Sequence, residues 1–295
     1  MVSMDRRNFV AMTRAFALLG LLLLGPRFAS GETRPGNQPN EPYRIAGNLY
    51  YVGADDITSY VIATSEGHVL VNPGFEETVP IIRANMKTLG LRYEDIRVVL
   101  NGQAHIDHVA GCAAIRRDTT ARVMAMVGDA DIMEGGGKGD FRFDGETSWP
   151  PCKVDRVLHD GDEVKLGGVV LHAVLTAGHT KGCTTWTFDL EDGGRRYAVV
   201  IVGGLRVNPG VVLVGNPRYP RIVEDYAKTY ATLRSLKPDF FLGAHQQYYD
   251  GLAKAKRRGE AKNPFIDPDG YRAYLDVERK LLDEQIAREK AAAKP

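Results

Sequence analysis

The chain has 295 residues, of which 44% are hydrophobic and 25% are charged, the balance of an ordinary globular protein of one large or two small domains. Its 38 basic residues are matched by 37 acidic ones, so neither nucleic acid nor an anionic membrane is expected as a partner. No internal repeat or long low-complexity tract is visible, and small-molecule chemistry is the default expectation.

Residues 1–31 have the features of an export signal. Arg6 and Arg7 precede an apolar run at 16–24, and small residues beyond it offer a cleavage region. The paired arginines resemble a twin-arginine signal, with an ordinary secretory signal as the alternative. Because the apolar run is short for a transmembrane helix, we expect cleavage and no stable membrane insertion, rather than an uncleaved anchor. Residues 32–42, rich in Pro, Asn and Gly, are predicted to be a flexible lead-in.

The first part of the folded chain alternates short strands with a helix. Apolar runs bounded by turns predict antiparallel strands at 45–52, 59–64 and 68–71. Apolar residues at helical spacing follow at 77–89, and a buried strand is predicted at 96–100. This order of strand, turn, helix and strand is typical of a layered α/β fold.

The segment after the strand at 96–100 carries Gln103, His105, Asp107 and His108 in a Q-x-H-x-D-H pattern. Side chains with lone pairs on a sharply turning loop can converge on one point from different directions, as a divalent cation requires. A polar loop with incidental histidines is the alternative. Two histidines and one aspartate within four residues rarely serve structure alone, so the pattern predicts a metal site.

Residues 133–140 include four glycines in five positions, which predicts a flexible loop. A phosphate-binding loop would need glycines at set spacing followed by Lys and Ser or Thr, and that context is absent. Phe141 and Phe143 flank the glycines. We interpret the loop as a mobile lip beside the metal site, with a plain surface loop as the alternative.

Two further histidines directly follow predicted strands. The strand at 169–175 leads to His179 on a turn bracketed by glycines, and the strand at 240–244 leads to His245. Because strand ends in a layered protein can share one edge, we expect both histidines to join the earlier cluster. The other predicted elements are a hairpin of strands at 184–190 and 196–202, a helix at 222–236 and a final helix at 271–290. Three histidines within or beside strands are predicted to be structural: His68, His159 and His172.

The three cysteines, Cys112, Cys152 and Cys183, are too few for a disulfide scaffold, and an odd number cannot all pair within the chain. We predict that Cys112 and Cys183 are small buried apolar groups, as free cysteine usually is. A ligand role for Cys183, four residues after His179, is the alternative.

From about Tyr43 onward, the chain resembles the metallo-β-lactamase superfamily. The resemblance rests on three features in this order: the element at 103–108, the turn Gly178-His179-Thr180 and the later His245. Within it, three stretches are similar to subclass 3 of the class B β-lactamases: 178–186, 207–210 and 263–268. The resemblance implies an α/β fold of the αββα sandwich type, with two mixed sheets flanked by helices, formed by a single domain at 43–295. It also implies a monomeric periplasmic enzyme that hydrolyses the β-lactam ring of penicillins, cephalosporins and carbapenems and confers antibiotic resistance.

The resemblance further implies two zinc ions per chain. The first site would comprise Gln103, His105 and His179, and the second site would comprise Asp107, His108 and His245. Gln103 stands where the subclass usually has histidine, and because a neutral amide oxygen is a poorer zinc ligand, the first site is expected to bind more weakly. A metal-bound hydroxide would attack the lactam carbonyl, with Asp107 as both ligand and catalytic residue that orients the nucleophile.

At two places the chain departs from the sequence patterns of the superfamily, and both departures bear on which substrate it would hydrolyse. Thioesterases of the superfamily carry a bridging aspartate where this chain has Val202-Gly203-Gly204, and its absence favours a β-lactamase. Arg206 replaces a hydroxyl residue and is predicted to bind the substrate carboxylate, with a solvated surface arginine as the alternative. The other functions considered are a different hydrolase of the superfamily, such as a thioesterase or lactonase, and a zinc-binding protein without catalysis.

Overall fold

The computed structural model describes residues 34–293, so the predicted export signal at 1–31 lies outside the described residues. The described part of the predicted lead-in makes defined contacts with the domain. The Asn37 side chain is buried, and the backbone N–H of Gln38 donates to Oδ1 of Asp55 at 2.8 Å. Between residues 34 and 293, no helix is long and apolar enough to cross a membrane.

The first sheet contains seven strands among the described residues, and they follow chain order from one edge to the other. Neighbours from the first to the fourth strand are antiparallel, and the fourth to the seventh run parallel. The stretch predicted as one strand at 45–52 forms two, because Gly47, with φ of +50°, turns the chain between them. The strands are β1 (Tyr43–Ala46), β2 (Leu49–Tyr51), β3 (Tyr60–Thr64), β4 (Gly67–Val71), β5 (Ile96–Leu100), β6 (Arg122–Met126) and β7 (Arg156–Leu158).

The second sheet has five strands in the described chain, in the spatial order β12, β11, β10, β9, β8. All neighbours are antiparallel except β11 and β12, which are parallel. The predicted hairpin is present, with Asp192 paired to Arg195 at its end. The strands are β8 (Glu163–Leu166), β9 (Val169–Leu175), β10 (Thr184–Asp192), β11 (Arg195–Val202) and β12 (Phe240–Gly243).

Seven α-helices are described between residues 34 and 293. They are α1 (Thr78–Thr88), α2 (Ile106–Val109), α3 (Cys112–Asp118), α4 (Ala130–Glu134), α5 (Ile222–Ser235), α6 (Gly251–Lys256) and α7 (Pro268–Ala292). The last helix begins earlier than predicted because Pro268 suits the first helical position and the Asp267 carboxylate accepts the N–H of Gly270 at 2.8 Å.

Successive side chains along the strands of the first sheet point to opposite faces and pack into two separate hydrophobic cores. On β4, Val69 and Val71 belong to the core shared with the second sheet, whereas Leu70 points to the opposite face. The shared core also includes Trp186 from β10 and side chains of α5 and α7, and the opposite core contains side chains of α1, α3 and α4. Helices therefore cover the outer faces of both sheets, and the predicted αββα sandwich is confirmed.

Two of the three cysteines are paired. Cys112, at the start of α3, forms a disulfide with Cys152, forty residues later, and their Cα atoms are 6.1 Å apart. The prediction that Cys112 is a free buried thiol is therefore wrong, because the segment after the glycine-rich loop returns to α3. Cys183 is a buried free cysteine, as predicted.

Candidate metal centre

The loop that carries the first cluster is fixed where it leaves β5. The indole Nε1–H of Trp186 donates to the carbonyl of Asn101 at 2.9 Å, and the N–H of Thr184 donates to the carbonyl of Gly102 at 2.7 Å. On its other side, the N–H of Gly102 donates to Oδ1 of Asn72 at 2.8 Å. Contacts from residues of β10 and from Asn72, directly after β4, thus hold the loop from which the following side chains project.

The structure brings all six predicted ligands together at the edge where β5, β9 and β12 end. The ring centroids of His105 and His179 are 4.8 Å apart, and those of His108 and His245 are 4.9 Å apart. One cavity is lined by members of both predicted sites: Gln103, His105, Asp107, His179 and His245.

The second site is compact. One ligand atom from each of Asp107, His108 and His245 lies within 4.8 Å of the other two. Oδ2 of Asp107 is 3.2 Å from Nε2 of His108 and 3.5 Å from Nε2 of His245, and the two Nε2 atoms are 3.2 Å apart. Three lone-pair donors therefore face one point.

The first site combines a buried amide with two imidazoles that line the same cavity. Gln103 is buried, and its Nε2 donates to the carbonyl of Gly203 at 3.1 Å, whereas its Oε1 has no hydrogen-bond partner among the described residues. Nδ1 of His179 donates to the carbonyl of Arg206 at 2.6 Å, which leaves its Nε2 as the lone-pair atom. An unpartnered buried oxygen on a residue that shares a cavity with two histidines is suited to a cation.

The protonation states also fit a metal. Burial lowers the pKa of His105 well below its usual value and lowers the pKa of His179 to about 4, so both rings are neutral at pH 7. Burial opposes ionisation of Asp107, but the neighbouring His108, His245 and His105 hold its pKa well below its usual range. Neutral imidazoles, an ionised carboxylate and an amide oxygen form a donor set that suits zinc.

His245 has a carboxylate partner that the sequence patterns did not reveal. Its Nδ1 hydrogen-bonds to Oδ2 of Asp56 at 2.8 Å, and Asp56 also accepts hydrogen bonds from the backbone and side chain of Gln247. A carboxylate on the outer nitrogen fixes the tautomer and orientation of a ligating imidazole. Asp56 lies in a turn whose sequence is indistinguishable from that of a solvated turn.

Asp129 connects the two ligand loops. Its carboxylate is buried and accepts hydrogen bonds at 2.8 Å from the N–H of Ala104, the hydroxyl of Thr180 and the N–H of Gly182. Burial raises the pKa of Asp129 to about 7. Asp129 stands at the N-cap of α4, a position at which an aspartate usually caps the helix. Its side chain makes no such cap and instead holds the two ligand loops together.

The loop predicted as a lip borders the cavity. Phe143 and Thr147 line it, and the ring of Phe143 packs edge-on against His105 at 5.1 Å between centroids. Phe141 instead is buried and packs against Tyr219. The cavity wall is completed mainly by apolar and amide side chains: Phe75, Ile106, Val207, Asn208, Pro209, Gln247 and Tyr248.

Arg206 lies at the cavity wall with its guanidinium paired. Its Nη2 and Nε donate to the carboxylate of Glu278, a buried residue of α7, while 58% of the arginine side chain is exposed. The carbonyl of the same residue accepts the Nδ1–H of His179. Arg206 thus contacts the first site through its backbone and the cavity through its side chain.

The position where a thioesterase would carry a carboxylate is occupied by closely packed glycine. A Cβ added to Gly204 would lie 2.9 Å from Cδ2 of His179 and 3.3 Å from Nε2 of Gln103. Such distances are too short for a side chain without displacement of both ligands. The absent carboxylate is therefore a consequence of how tightly this backbone approaches the first site.

Comparison with known proteins agrees with this geometry. Residues 52–245 match the family described as the metallo-beta-lactamase superfamily. The FEZ-1 metallo-β-lactamase of Legionella gormanii is 43% identical, with a TM-score of 0.85, covering 87% of this chain and 99% of that chain. LRA-12, a class B3 di-zinc metallo-β-lactamase from an Alaskan soil metagenome, is 34% identical, with a TM-score of 0.82, covering 89% of this chain and 99% of that chain.

A curated relative is the hydroxyacylglutathione hydrolase of Rhodopseudomonas palustris, which is 26% identical over 211 residues, 72% of this chain and 70% of that protein. The predictions of a hydrolase and of a likeness to the subclass 3 enzymes are confirmed by these relatives together. The family match spans most of the folded chain and includes every predicted ligand. The chain belongs to the metallo-β-lactamase superfamily.

Proposed function

We propose that the protein hydrolyses the β-lactam ring of antibiotics with zinc held at the first and second sites. The observation that carries the proposal is the convergence of six predicted ligands from three separate loops, five of which line one cavity while His108 contacts two of those five. The 43% identity to FEZ-1 over 87% of the chain supports a β-lactam as the substrate class. The di-zinc relative LRA-12 supports zinc as the cofactor.

The chain's own residues prepare the reaction. Zinc, when bound, makes a nucleophile available from water at neutral pH and polarises a carbonyl. The neutral rings of His105 and His179 keep their lone pairs for the metal, and Asp56 fixes the ring of His245. The ionised Asp107 faces the cavity and orients a water molecule toward the lactam carbonyl. Water adds to the carbonyl carbon, the carbon–nitrogen bond breaks, and the nitrogen takes up a proton.

The cavity wall supplies contacts for a bicyclic antibiotic. Phe75, Ile106, Phe143 and Tyr248 offer apolar surface beside the ligands. Arg206 stands at the same wall, and its ion pair with Glu278 holds the guanidinium in place while leaving donors free toward the cavity. We assign this guanidinium to the carboxylate that β-lactam antibiotics carry.

The two sites are expected to differ in their affinity for zinc. Gln103 offers a neutral amide oxygen where imidazole would bind zinc more tightly, so the first site should fill after the second.

The paired Cys112 and Cys152 support export to an oxidising compartment such as the periplasm, where disulfides persist and where antibiotics meet their targets.

A thioesterase activity is the second candidate, favoured by the hydroxyacylglutathione hydrolase relative. Purified protein would be offered a chromogenic cephalosporin, a penicillin, a carbapenem, a glutathione thioester and a lactone. We expect turnover of the β-lactams that Asp107→Ala removes and that Asp189→Ala, on the exposed hairpin, leaves unchanged. Faster turnover of the thioester or lactone would contradict the proposal, and full zinc occupancy without any turnover would indicate a zinc-binding protein.

A further inference from the structure

We propose that Asp140 is a positioning residue for His105, whose Nε2–H it accepts, and that it thereby links the glycine-rich loop to the first site. This inference rests on the proposed metal centre but not on the identity of the substrate. Asp140 follows the four glycines of the loop, in a stretch without strand or helix.

The first observation is the juxtaposition of two buried groups. Nε2 of His105 lies 3.7 Å from Oδ2 of Asp140, and the two side chains are only 8% and 4% exposed. Nε2 of His105 has no hydrogen-bond partner in the described part of the chain. A buried donor without a partner is unfavourable, and an approach of about half an ångström would make this contact a hydrogen bond.

The second observation is the arrangement of two other predicted ligands, His179 and His245. Nδ1 of His179 faces the carbonyl of Arg206 at 2.6 Å, and Nδ1 of His245 faces Oδ2 of Asp56 at 2.8 Å. Each of these rings therefore presents Nε2 to the metal. For His105 the nitrogen that faces an outer acceptor is Nε2, so the structure assigns its Nδ1 to the metal.

The third observation is that Asp140 is itself held rigidly. Its Oδ1 accepts the backbone N–H groups of Arg142 at 2.8 Å and Phe143 at 2.6 Å, which leaves Oδ2 directed toward His105. The carbonyl of Asp140 accepts Nη2 of Arg218 at 2.7 Å. A carboxylate fixed through Oδ1 and through its backbone carbonyl can define the orientation of a neighbouring ring.

The same loop is attached to the opposite rim of the cavity. Nε of Arg142 donates to the carbonyl of Pro209 at 2.7 Å, and its guanidinium lies over the ring of Phe143 at 4.6 Å. Phe143 in turn packs edge-on against His105. A displacement of this loop would therefore move the acceptor of His105, so loop position and metal affinity at the first site are linked.

Asp140→Asn tests the assignment with little change in shape. Asparagine retains one oxygen for the N–H groups of Arg142 and Phe143 but directs an NH₂ group at the N–H of His105. The matched control is Asp131→Asn, an exposed carboxylate on α4. Metal-free proteins would be titrated with zinc against a competing chelator to resolve the two binding steps.

We expect Asp140→Asn to weaken the weaker zinc step by about 10- to 100-fold, while the tighter step stays within about threefold of wild type and Asp131→Asn changes neither step. Equal affinity of wild type and Asp140→Asn for both steps would overturn the proposal. Equal weakening of both steps would also overturn it, because that result indicates a general structural effect.

The tautomer of His105 provides a test that does not depend on the variant's folding. Long-range ¹H–¹⁵N spectra of the wild-type zinc-loaded protein should show a proton on Nε2 of His105 but on Nδ1 of His179 and His245. A proton on Nδ1 of His105 would overturn the assignment. Both measurements are made without a β-lactam, so a failure of antibiotic hydrolysis would leave them interpretable.

Discussion

Nδ1 of His245 and Oδ2 of Asp56 are joined by a hydrogen bond of 2.8 Å that connects residues 189 positions apart in the chain. Asp56 follows β2 in the first sheet, whereas His245 follows β12 in the second, so the bond links the edges of both sheets at the second site. Burial opposes a charge on this ring, but the hydrogen bond to Asp56 and the charges of Asp107 and Asp56 raise the pKa of His245 above its usual value.

The raised pKa predicts that zinc affinity at the second site falls with falling pH. Below the pKa of His245 a proton must leave before zinc can bind, so affinity should drop by up to about tenfold per pH unit. Asp56→Asn removes the carboxylate that raises this pKa, so the drop should begin at a lower pH. Zinc affinity measured by chelator competition from pH 5.5 to 8 would test this, with the neighbouring Asp55→Asn as control. An identical pH profile for Asp56→Asn and wild type would contradict the role of Asp56.

Replacing Gln103 should strengthen the first site. Imidazole is a better zinc ligand than an amide oxygen, so Gln103→His is expected to tighten the weaker zinc step by about tenfold or more. The tighter step should not change, and it serves as the internal control. Isothermal titration of metal-free protein with zinc would resolve the two steps. Two equal steps in the wild-type protein would contradict the predicted asymmetry.

Asp129→Asn should lower the stability of the fold and loosen the two ligand loops that Asp129 joins. Asparagine would direct an NH₂ group at N–H donors that now reach a carboxylate, and we expect a loss of about 2–4 kcal/mol in the free energy of unfolding. The comparison is made by urea unfolding of metal-free protein at pH 8, above the pKa of about 7 of Asp129.

Asp131→Asn, on the exposed side of α4, is the matched control and should leave stability within about 0.5 kcal/mol of wild type. If Asp129→Asn were equally stable, the three hydrogen bonds of Asp129 would not organise the ligand loops.

The disulfide should contribute measurably to stability. Closing a loop of forty residues restricts the unfolded chain, and its loss through Cys152→Ser should cost about 4 kcal/mol in the chain-entropy description. A reducing agent should lower the unfolding temperature of wild type but not of Cys152→Ser, in which no bond remains to be reduced. Equal sensitivity of the two proteins to reductant would show that Cys112 and Cys152 are not paired in solution.

Arg206→Ala tests the predicted substrate contact. Loss of a charged donor to the antibiotic carboxylate should raise KM by about 10- to 100-fold with a smaller change in kcat, since the group is distant from the reacting bond. Glu278→Gln is the partner control: it removes the ion pair that holds the guanidinium in place but keeps the guanidinium itself, so KM should rise less than in Arg206→Ala. Unchanged KM values for Arg206→Ala across penicillins would exclude the contact.

The sequence predicted which side chains would converge at the candidate site but not the residues that hold those side chains in place. His179 and His245 follow apolar strands on short turns, a local pattern that is visible in the sequence. Asp56, Asp129 and Asp140 lie in turns or at a helix start, where aspartate is common for reasons of turn chemistry. Their partners are 189, 51 and 35 positions away, so only the folded chain identifies them.

The helices predicted from apolar spacing at 77–89 and 222–236 are present as α1 and α5, and the last helix differs only at its ends, where Asp267 and Pro268 define its start. The hairpin at Gly47 was missed because its flanking residues read as one apolar run. The pairing of Cys112 depended on the return path of the chain after the glycine-rich loop, which no local pattern encodes.

The most direct test of the proposed function is zinc-dependent turnover by the purified protein. Hydrolysis of a chromogenic cephalosporin and a carbapenem would be followed before chelation, after removal of metal, and during stepwise addition of zinc. We predict that chelation abolishes hydrolysis, that added zinc restores it, and that Asp107→Ala stays inactive at every zinc concentration. Hydrolysis that survives full removal of metal, or its absence from a protein with both sites filled, would contradict a zinc-dependent β-lactamase.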